Sequence, residues 1–269
     1  MATLEAELSK DVLQTLDRWS VPVDPFLIAK DEEIELAPGT FGKGFDARIE
    51  YVPEIKRFVI YYRLPGSGRP KGRVNFSIAH ELGHFYLPHH RAKLLAGEMH
   101  NSVADYRSSD KREAEADEFA ANLLMPKELF TSEVSRFRQR VCTLSEICQL
   151  AECKLGTSVT STARRYCECD IEACSIVLSE RGVVKWAMHS SDMKGKNMGY
   201  IPFRQPVPRT SKTAELLKLV GEKPIEGTID GSVEAKVWFE RPFPQSIWED
   251  AMLLGGTGFA LTMLTPDSE

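Results

Sequence analysis

The sequence predicts an α+β protein in which two domains are joined by a helical segment. β-like runs punctuated by turn signals extend to about residue 62, and two long helical patterns follow them. Helical patterns then continue through residues 127–168. The composition shifts near residue 170, where a hairpin pattern begins. Together these observations predict domains at residues 1–130 and 170–269, with a helical segment at 131–169 between them.

The first domain is predicted to begin with an amphipathic helix over residues 3–19, because Leu8, Val12, Leu13 and Leu16 fall on one side of it. Four β-like runs follow, at residues 26–29, 33–36, 47–51 and 57–62. The stretch at 56–62 is the best candidate for a sheet edge beside a cleft, to which an extended peptide could add as a strand. An ordinary covered strand is the alternative.

The most informative motif is His80-Glu81-Leu82-Gly83-His84, inside an apolar helical segment at residues 74–85. Residues four apart lie on one face of a helix, so both imidazoles can hold one zinc ion with Glu81 beside it. The alternative is two satisfied histidines and a glutamate on a partly exposed helix. The apolar neighbours favour burial, and buried charges need partners, which a divalent metal supplies. Gly83, a poor helix former, indicates that a backbone or a substrate approaches closely there.

A third ligand is expected, because catalytic zinc usually takes three protein ligands and one water. Residues 110–126 form a helical pattern with one apolar face, on which Glu113 and Asp117 share a side. Glu113 is therefore favoured as the third ligand, and Asp117 as the acceptor for the free N–H of a zinc-bound histidine. Glu115 is a rival ligand, although it points about 200° away from Glu113 on a helical wheel. These acids could also be only a solvated face, and Asp110 with Glu113 resembles a capping box.

Two blocks of sequence occur in a distinctive order and at a distinctive separation. They are Arg73-x-x-Phe76-x-x-Ala79-His80-Glu81-Leu82-Gly83-His84 and Glu113-x-Glu115-Ala116-Asp117-x-Phe119-Ala120-x-x-Leu123-Leu124-Met125-Pro126. Over about residues 50–130 the chain resembles the ImmA/IrrE family of metallopeptidases. The resemblance implies a zincin-like peptidase domain with a His, His and Glu zinc site, a helix-turn-helix-like segment and, in longer members, a GAF-like C-terminal domain. It also implies cleavage of a helix-turn-helix repressor after DNA damage or phage-related stress.

The helical segment contains two short helical patterns, at residues 144–151 and 158–165, joined by Lys154-Leu155-Gly156. This layout resembles a helix-turn-helix. Arg164 and Arg165 alone make a thin basic footprint, which favours a packing module over DNA reading.

The C-terminal domain is predicted to be a small α+β sensor. Its expected elements are a hairpin at residues 174–179 and 183–188, a Lys- and Arg-rich loop at 189–213, a helix at 213–220, and strands around 233–240, 245–254 and 258–264. Tyr200 and Phe203 in the loop are available to stack on the bases of single-stranded nucleic acid, although a solvated linker is the favoured interpretation.

Composition limits the remaining possibilities. The net charge of −5 argues against a surface devoted to duplex DNA. No run of 18 apolar residues and no signal peptide is present, which predicts a cytoplasmic protein that does not span a membrane. All six cysteines fall between residues 142 and 174 without a Cys-x-x-Cys pair. Reduced thiols, several of them in the core, are the favoured interpretation, with a redox sensor or a second metal site as alternatives.

The sequence therefore predicts a cytoplasmic zinc-dependent endopeptidase. His80, His84 and Glu113 are expected to bind Zn²⁺, Glu81 to act as general base and acid, and Asp117 to hold a ligand histidine. The expected substrate is a helix-turn-helix transcriptional repressor, and single-stranded DNA is a candidate activating ligand. The alternative is a regulatory or DNA-binding protein with a vestigial peptidase site.

Overall fold

A computed structural model of the chain contains two compact units, each built from helices and a β-sheet. It describes residues 3–41, 45–64, 70–97, 110–137, 142–197, 199–220, 227–241, 246–255 and 258–267. The first unit comprises Met1–Glu133 and Ala151–Ser158, and the second comprises Val134–Leu150 and Val159–Glu269. The predicted α+β class is confirmed. The predicted helical segment 131–169 supplies residues to both units, and the predicted domain boundaries stay predictions.

The first unit contains a run of helices and three strands. In chain order they are α1 (Leu4–Thr15), α2 (Pro25–Asp31), β1 (Glu35–Gly39), β2 (Ala47–Val52), β3 (Arg57–Arg63), α3 (Lys71–Tyr86), α4 (Pro88–Leu95), α5 (Lys111–Leu124) and α6 (Lys127–Phe137), the last of which continues past the unit boundary. None of the described helices is both long and apolar enough to cross a lipid bilayer.

Helix α2 occupies the stretch at residues 26–29 that the sequence predicted as a strand, so that prediction was wrong. The carboxylate of Asp24 accepts hydrogen bonds from the backbone N–H groups of Phe26 and Leu27. Pro25 stands in the first turn, where its fixed φ suits a helix and its missing N–H costs nothing. A side-chain cap and a first-turn proline therefore outweigh the β-like apolar composition.

The three-stranded sheet has the order β1-β3-β2, so β3 lies in its centre. β1 pairs with β3 in parallel and β2 pairs with it antiparallel. The prediction that the strand at 56–62 forms the sheet edge was therefore wrong. Among the described residues, β2 is the edge strand that contacts the metal-motif helix α3.

Helix α3 is buried along most of its length and packs closely against α5. A Cβ atom placed on Gly83 would lie 3.1 Å from the Cα of Ala116 and 3.2 Å from its carbonyl oxygen. These distances are shorter than ordinary van der Waals contact, so the two backbones approach as closely as they do because residue 83 is glycine. This confirms the predicted close approach of another backbone at this position.

The segment Ala151–Ser158 also belongs to the first unit and lies against the N-terminal half of α3. It opens with a π-helical turn at Ala151–Leu155. The side-chain amide of Asn75 donates to the carbonyl oxygen of Gly156 at 2.9 Å. At Gly72, an added Cβ would lie 2.4 Å from the carbonyl carbon of Thr157, which shows that the two backbones are in direct contact.

The second unit is built on a five-stranded antiparallel sheet with the order β5-β4-β8-β7-β6. Its elements are α7 (Leu144–Leu150), α8 (Val159–Glu168), β4 (Ser175–Glu180), β5 (Val183–His189), α9 (Ser191–Gly195), α10 (Lys212–Val220), β6 (Thr228–Glu234), β7 (Ser246–Leu253) and β8 (Phe259–Pro266). The predicted hairpin turns at Arg181 and Gly182, both of which have positive φ.

One predicted strand of this unit is displaced. The sequence placed a strand around residues 233–240, but β6 ends at Glu234 and a 3₁₀ turn follows at Ala235–Val237. The turn brings Trp238 into the core, where its indole N–H donates to the buried carboxylate of Glu249 at 2.9 Å. This hydrogen bond joins residues 11 positions apart, so the local sequence pattern does not reveal it.

The two arginines of the helix-turn-helix-like pattern make contacts within the second unit. Arg165 is buried, and both Arg164 and Arg165 lie 3.7 Å from carboxylate oxygens of Glu168. Arg164 also lies over the ring of Trp186 at 5.6 Å. These contacts favour the packing interpretation of α8. Cys142, Cys167, Cys169 and Cys174 are buried, which agrees with the favoured interpretation of several core cysteines.

Candidate metal centre

Three potential metal ligands converge between α3 and α5. His80 and His84 are buried one turn apart on α3, and their Nε2 atoms lie 3.1 Å from each other. The carboxylate of Glu113, in the first turn of α5, places one oxygen 3.4 Å from the Nε2 of His80 and the other 3.4 Å from the Nε2 of His84. The structure thus brings together the three residues that the sequence proposed as ligands.

This spacing fits a small tetrahedral cation. Two ligands placed about 2.1 Å from a tetrahedral zinc ion are roughly 3.4 Å apart. The three ligand-to-ligand distances of 3.1, 3.4 and 3.4 Å agree with that value. Imidazole nitrogen and carboxylate oxygen are also the donor types that catalytic zinc sites use. The residues present therefore fit a divalent metal.

Asp117 supports the first histidine. Its Oδ1 lies 2.8 Å from the Nδ1 of His80. A carboxylate can only accept, so Nδ1 carries a hydrogen and Nε2 is the atom that faces His84 and Glu113. Burial lowers the pKa of His80, but hydrogen bonds to Asp117 and Glu113 and the charge of Glu81 outweigh it and raise the pKa to about 10. The site is therefore electronegative enough to hold a cation.

Glu81 is fully buried and is held by the sheet. Its Oε2 accepts a hydrogen bond from the backbone N–H of Ile49 on β2 at 2.9 Å. Because Ile49 directs its N–H away from β3, the edge strand fixes the carboxylate beside the ligand histidines. The arrangement can hold a carboxylate in one orientation next to a metal-bound substrate or water.

The structure assigns Glu113 and Glu115 to different contacts. Glu113 faces His80 and His84, whereas Glu115 Oε2 lies 3.0 Å from the Nε2 of His90 and 2.8 Å from the Nε2 of His89. Glu115 thus does not take the place of Glu113 beside the two motif histidines.

His90 is the residue that the sequence analysis missed. Its Nδ1 lies 3.0 Å from the Nδ1 of His84, and its side chain is buried. The sequence signal was the pair of histidines directly after Leu87 and Pro88, where the chain turns from α3 into α4. Tyr86, which is also close to the motif in sequence, does not face the ligands; its hydroxyl donates to Glu32 at 2.9 Å, and burial with this bond raises its pKa above the ordinary range.

Comparison with known proteins agrees with this geometry. Two histidines on one helix and a glutamate on a second form a group that could hold a metal ion. Residues 66–152, which contain these ligands, match the family model of the IrrE N-terminal-like domain, peptidase family M78. The match confirms the resemblance found in the sequence: the chain carries an ImmA/IrrE-type domain.

A solved structure shares the overall architecture. A Mycobacterium tuberculosis transcriptional regulator superimposes with a TM-score of 0.58 at 13% sequence identity, covering 97% of this chain and 76% of that chain. At this identity the likeness concerns the fold alone. None of the curated proteins matches the chain.

Proposed function

We propose that this protein is a zinc-dependent endopeptidase that cleaves a protein substrate, specifically a helix-turn-helix transcriptional repressor. The observation that carries the proposal is the convergence of His80, His84 and Glu113 at tetrahedral spacing, with the buried carboxylate of Glu81 on the same helix. The family match adds a peptidase-related context, and the repressor is the substrate that the family resemblance implies.

Each residue of the candidate site has a separate role in the proposed hydrolysis. The Nε2 atoms of His80 and His84 and the carboxylate of Glu113 hold the metal, which when bound supplies Lewis acidity to the scissile carbonyl and to the attacking water. Glu81 accepts the proton of that water and returns it to the leaving amine. Because the N–H of Ile49 occupies Oε2, the proton moves at Oε1. Asp117 holds the His80 ring in the tautomer that binds metal.

The edge of β2 is the proposed binding surface for the substrate chain. In an antiparallel pair, successive residues direct their main-chain N–H and C=O groups alternately towards and away from the partner strand. Because the N–H of Ile49 points away from β3, the main-chain groups of Ala47 and Tyr51 also point away from it. No described strand pairs with this side of β2. An extended peptide laid along it would pass beside Glu81, with main-chain hydrogen bonds giving affinity.

Replacement of Glu81 by Gln tests the mechanism. The variant keeps the hydrogen-bond acceptor for Ile49 but loses the base, so it should retain zinc and lose cleavage. The protein is co-expressed with a candidate helix-turn-helix repressor, and the repressor is examined by intact mass. Glu118→Gln is the matched control, because Glu118 is an exposed residue of α5 outside the site. Unchanged cleavage by Glu81→Gln would remove Glu81 from the mechanism.

The same variant separates the peptidase from the alternative function. If Glu81→Gln preserves the full effect on transcription while the repressor stays intact, the protein acts as a regulator with a vestigial site. Loss of both repressor cleavage and transcriptional release supports the peptidase.

The second unit is proposed to be a GAF-like sensor that responds to single-stranded DNA produced by DNA damage or phage infection. Tyr200 and Phe203 are exposed, and the guanidinium of Arg204 lies 4.8 Å from the ring of Phe203. Exposed aromatic rings beside a cation are the arrangement that stacks and neutralises unpaired nucleotides. Binding of a fluorescent oligothymidylate should weaken in Tyr200→Ala and Phe203→Ala, but not in Trp248→Ala, an exposed aromatic on β7. Equal affinity of all four proteins would contradict the proposal.

A further inference from the structure

A chain of two hydrogen bonds leads from the second ligand histidine to a carboxylate on α5. The Nδ1 of His84 lies 3.0 Å from the Nδ1 of His90, and the Nε2 of His90 lies 3.0 Å from Glu115 Oε2. His84 and His90 are both buried, so water does not compete freely for these nitrogens. None of the ligand assignments above uses His90 or Glu115.

The positions of the hydrogens along these two hydrogen bonds follow from the carboxylate of Glu115. Glu115 is ionised at neutral pH like any ordinary glutamate, and its Oε2 faces the Nε2 atoms of both His89 and His90. Glu115 is therefore a carboxylate that only accepts, and the Nε2 of His90 must donate to it. A neutral His90 ring that donates from Nε2 has a lone pair on Nδ1. That lone pair accepts the hydrogen of His84 Nδ1.

The hydrogen on Nδ1 determines which nitrogen of His84 is able to bind a metal. A neutral imidazole with its hydrogen on Nδ1 has a lone pair on Nε2. This Nε2 is the atom that lies 3.1 Å from the Nε2 of His80 and 3.4 Å from Glu113. The reverse tautomer would direct an N–H bond at the metal position, where it cannot coordinate.

We infer that His90 and Glu115 are positioning residues of the proposed zinc site, which hold His84 in the tautomer and orientation that bind metal. The inference rests on the proposed function. It gives both ligand histidines a carboxylate anchor on α5, with Asp117 acting on His80 directly and Glu115 acting on His84 through His90. Such anchors raise the basicity of the ligand and fix its ring.

The neighbouring His89 suggests a competing arrangement, in which His89, His90 and Glu115 hold a second metal. That site would need the lone pair of His90 Nε2, which places a hydrogen on His90 Nδ1. This hydrogen would face the hydrogen on His84 Nδ1 across 3.0 Å when the first site is loaded. With both rings neutral, the two metal sites exclude each other, whereas the positioning arrangement has no such conflict.

Zinc affinity of the full-length protein tests the inference, measured by competition with a chromophoric chelator. His90→Leu removes the acceptor and should weaken zinc binding about 10- to 100-fold, the usual cost of losing such an anchor. His90→Asn places an amide oxygen near the former Nδ1 and should restore most of the affinity. His89→Leu is the matched control, since it removes a bond to the same Glu115 oxygen without touching His84, and its affinity should stay within about threefold of wild type.

A spectrum of the wild-type protein provides a second measurement that depends on no variant. Long-range ¹H–¹⁵N correlation of the zinc-loaded chain should show hydrogen on Nδ1 of His84 and on Nε2 of His90. Hydrogen on Nδ1 of His90, or equal affinities for His90→Leu and His89→Leu, would overturn the inference while leaving the zinc site intact. Two zinc ions per chain, reduced to one in His89→Leu, would establish the competing second site. A wild-type chain that binds no zinc would instead overturn the proposed function itself.

Discussion

Replacement of Gly83 by Ala should have two opposing effects: it favours the helical conformation of α3 and it crowds the contact between α3 and α5. Alanine in the interior of α3 should favour the helix by about 1 kcal/mol relative to glycine. The added methyl group, however, would lie 3.1 Å from the Cα of Ala116, 3.2 Å from its oxygen and 3.3 Å from Cδ1 of Phe119. Two of these atoms belong to the backbone of α5, so no side-chain rotation relieves the contact.

The displacement needed is comparable to the tolerance of a metal site. To reach ordinary contact, α5 must retreat by a few tenths of an ångström. Glu113 lies less than one turn before Ala116 and moves with the helix. Metal–ligand distances tolerate changes of about 0.2 Å. Overpacking costs typically about 1–3 kcal/mol, which cancels or exceeds the gain in helix preference. We expect zinc affinity to fall about tenfold or more, while the stability of the metal-free protein changes by no more than about 2 kcal/mol.

Chelator competition and urea unfolding of the metal-free protein measure these two effects separately. Gly195→Ala is the matched control, because Gly195 also lies in a helix but an added Cβ there meets no atom within 4 Å. Gly195→Ala should leave zinc affinity unchanged. If Gly83→Ala also binds zinc as tightly as wild type and is more stable by about 1 kcal/mol, the backbone approach does not position Glu113 and the reasoning fails.

Two further predictions concern stability. Burial raises the pKa of Asp250 from 3.8 to about 6, although the N–H of Leu144 opposes this. The contribution of Asp250 to stability should therefore be full below pH 3.8 and should be lost, by roughly 3 kcal/mol, as the pH rises from 3.8 through 6, since one pKa unit corresponds to about 1.36 kcal/mol. Asp250→Asn keeps an acceptor for Leu144 without the charge and should lose this pH dependence in urea unfolding; parallel pH profiles would contradict it. Gly72→Ala would place a methyl group 2.4 Å from the carbonyl carbon of Thr157, so it should release Ala151–Ser158 from α3 and speed hydrogen exchange at Thr157, and unchanged exchange would refute the contact.

The convergence of the candidate ligands was predictable because their spacing is local. A separation of four residues on one helix determines how His80 and His84 face each other, and the same periodicity separates Glu113 from Glu115. His90 could not be found in this way. Its contact with His84 depends on the turn at Leu87, which begins a new helix, and no helical or strand period extends through such a turn.

The local sequence also predicted where strands form but not the order in which they pair. The runs at residues 47–51 and 57–62 became β2 and β3, because alternating apolar residues in the first and a continuous apolar run rich in aromatic and β-branched residues in the second both favour a strand. Their order in the sheet was not predictable from that pattern. β1 pairs directly with β3 in parallel, although β2 lies between them in the sequence. This crossover places β3 in the centre of the sheet and leaves β2 at the edge beside Glu81. The position of the candidate base therefore depends on topology as well as on the motif.

Helix α5 contacts the residues of the candidate metal centre from two sides. Glu113 and Asp117 project from one face towards the histidines of α3, while Glu115 projects from nearly the opposite face to His89 and His90 of α4. Rotation of α5 about its axis in either direction would therefore lengthen at least one of these contacts. In the sequence, the acids at 113, 115 and 117 resemble a solvated face. Their contacts on two sides of α5 indicate instead that they fix the orientation of the helix about its axis. Neutralising Glu115 should then disturb the ligand geometry even though Glu115 contacts neither motif histidine directly.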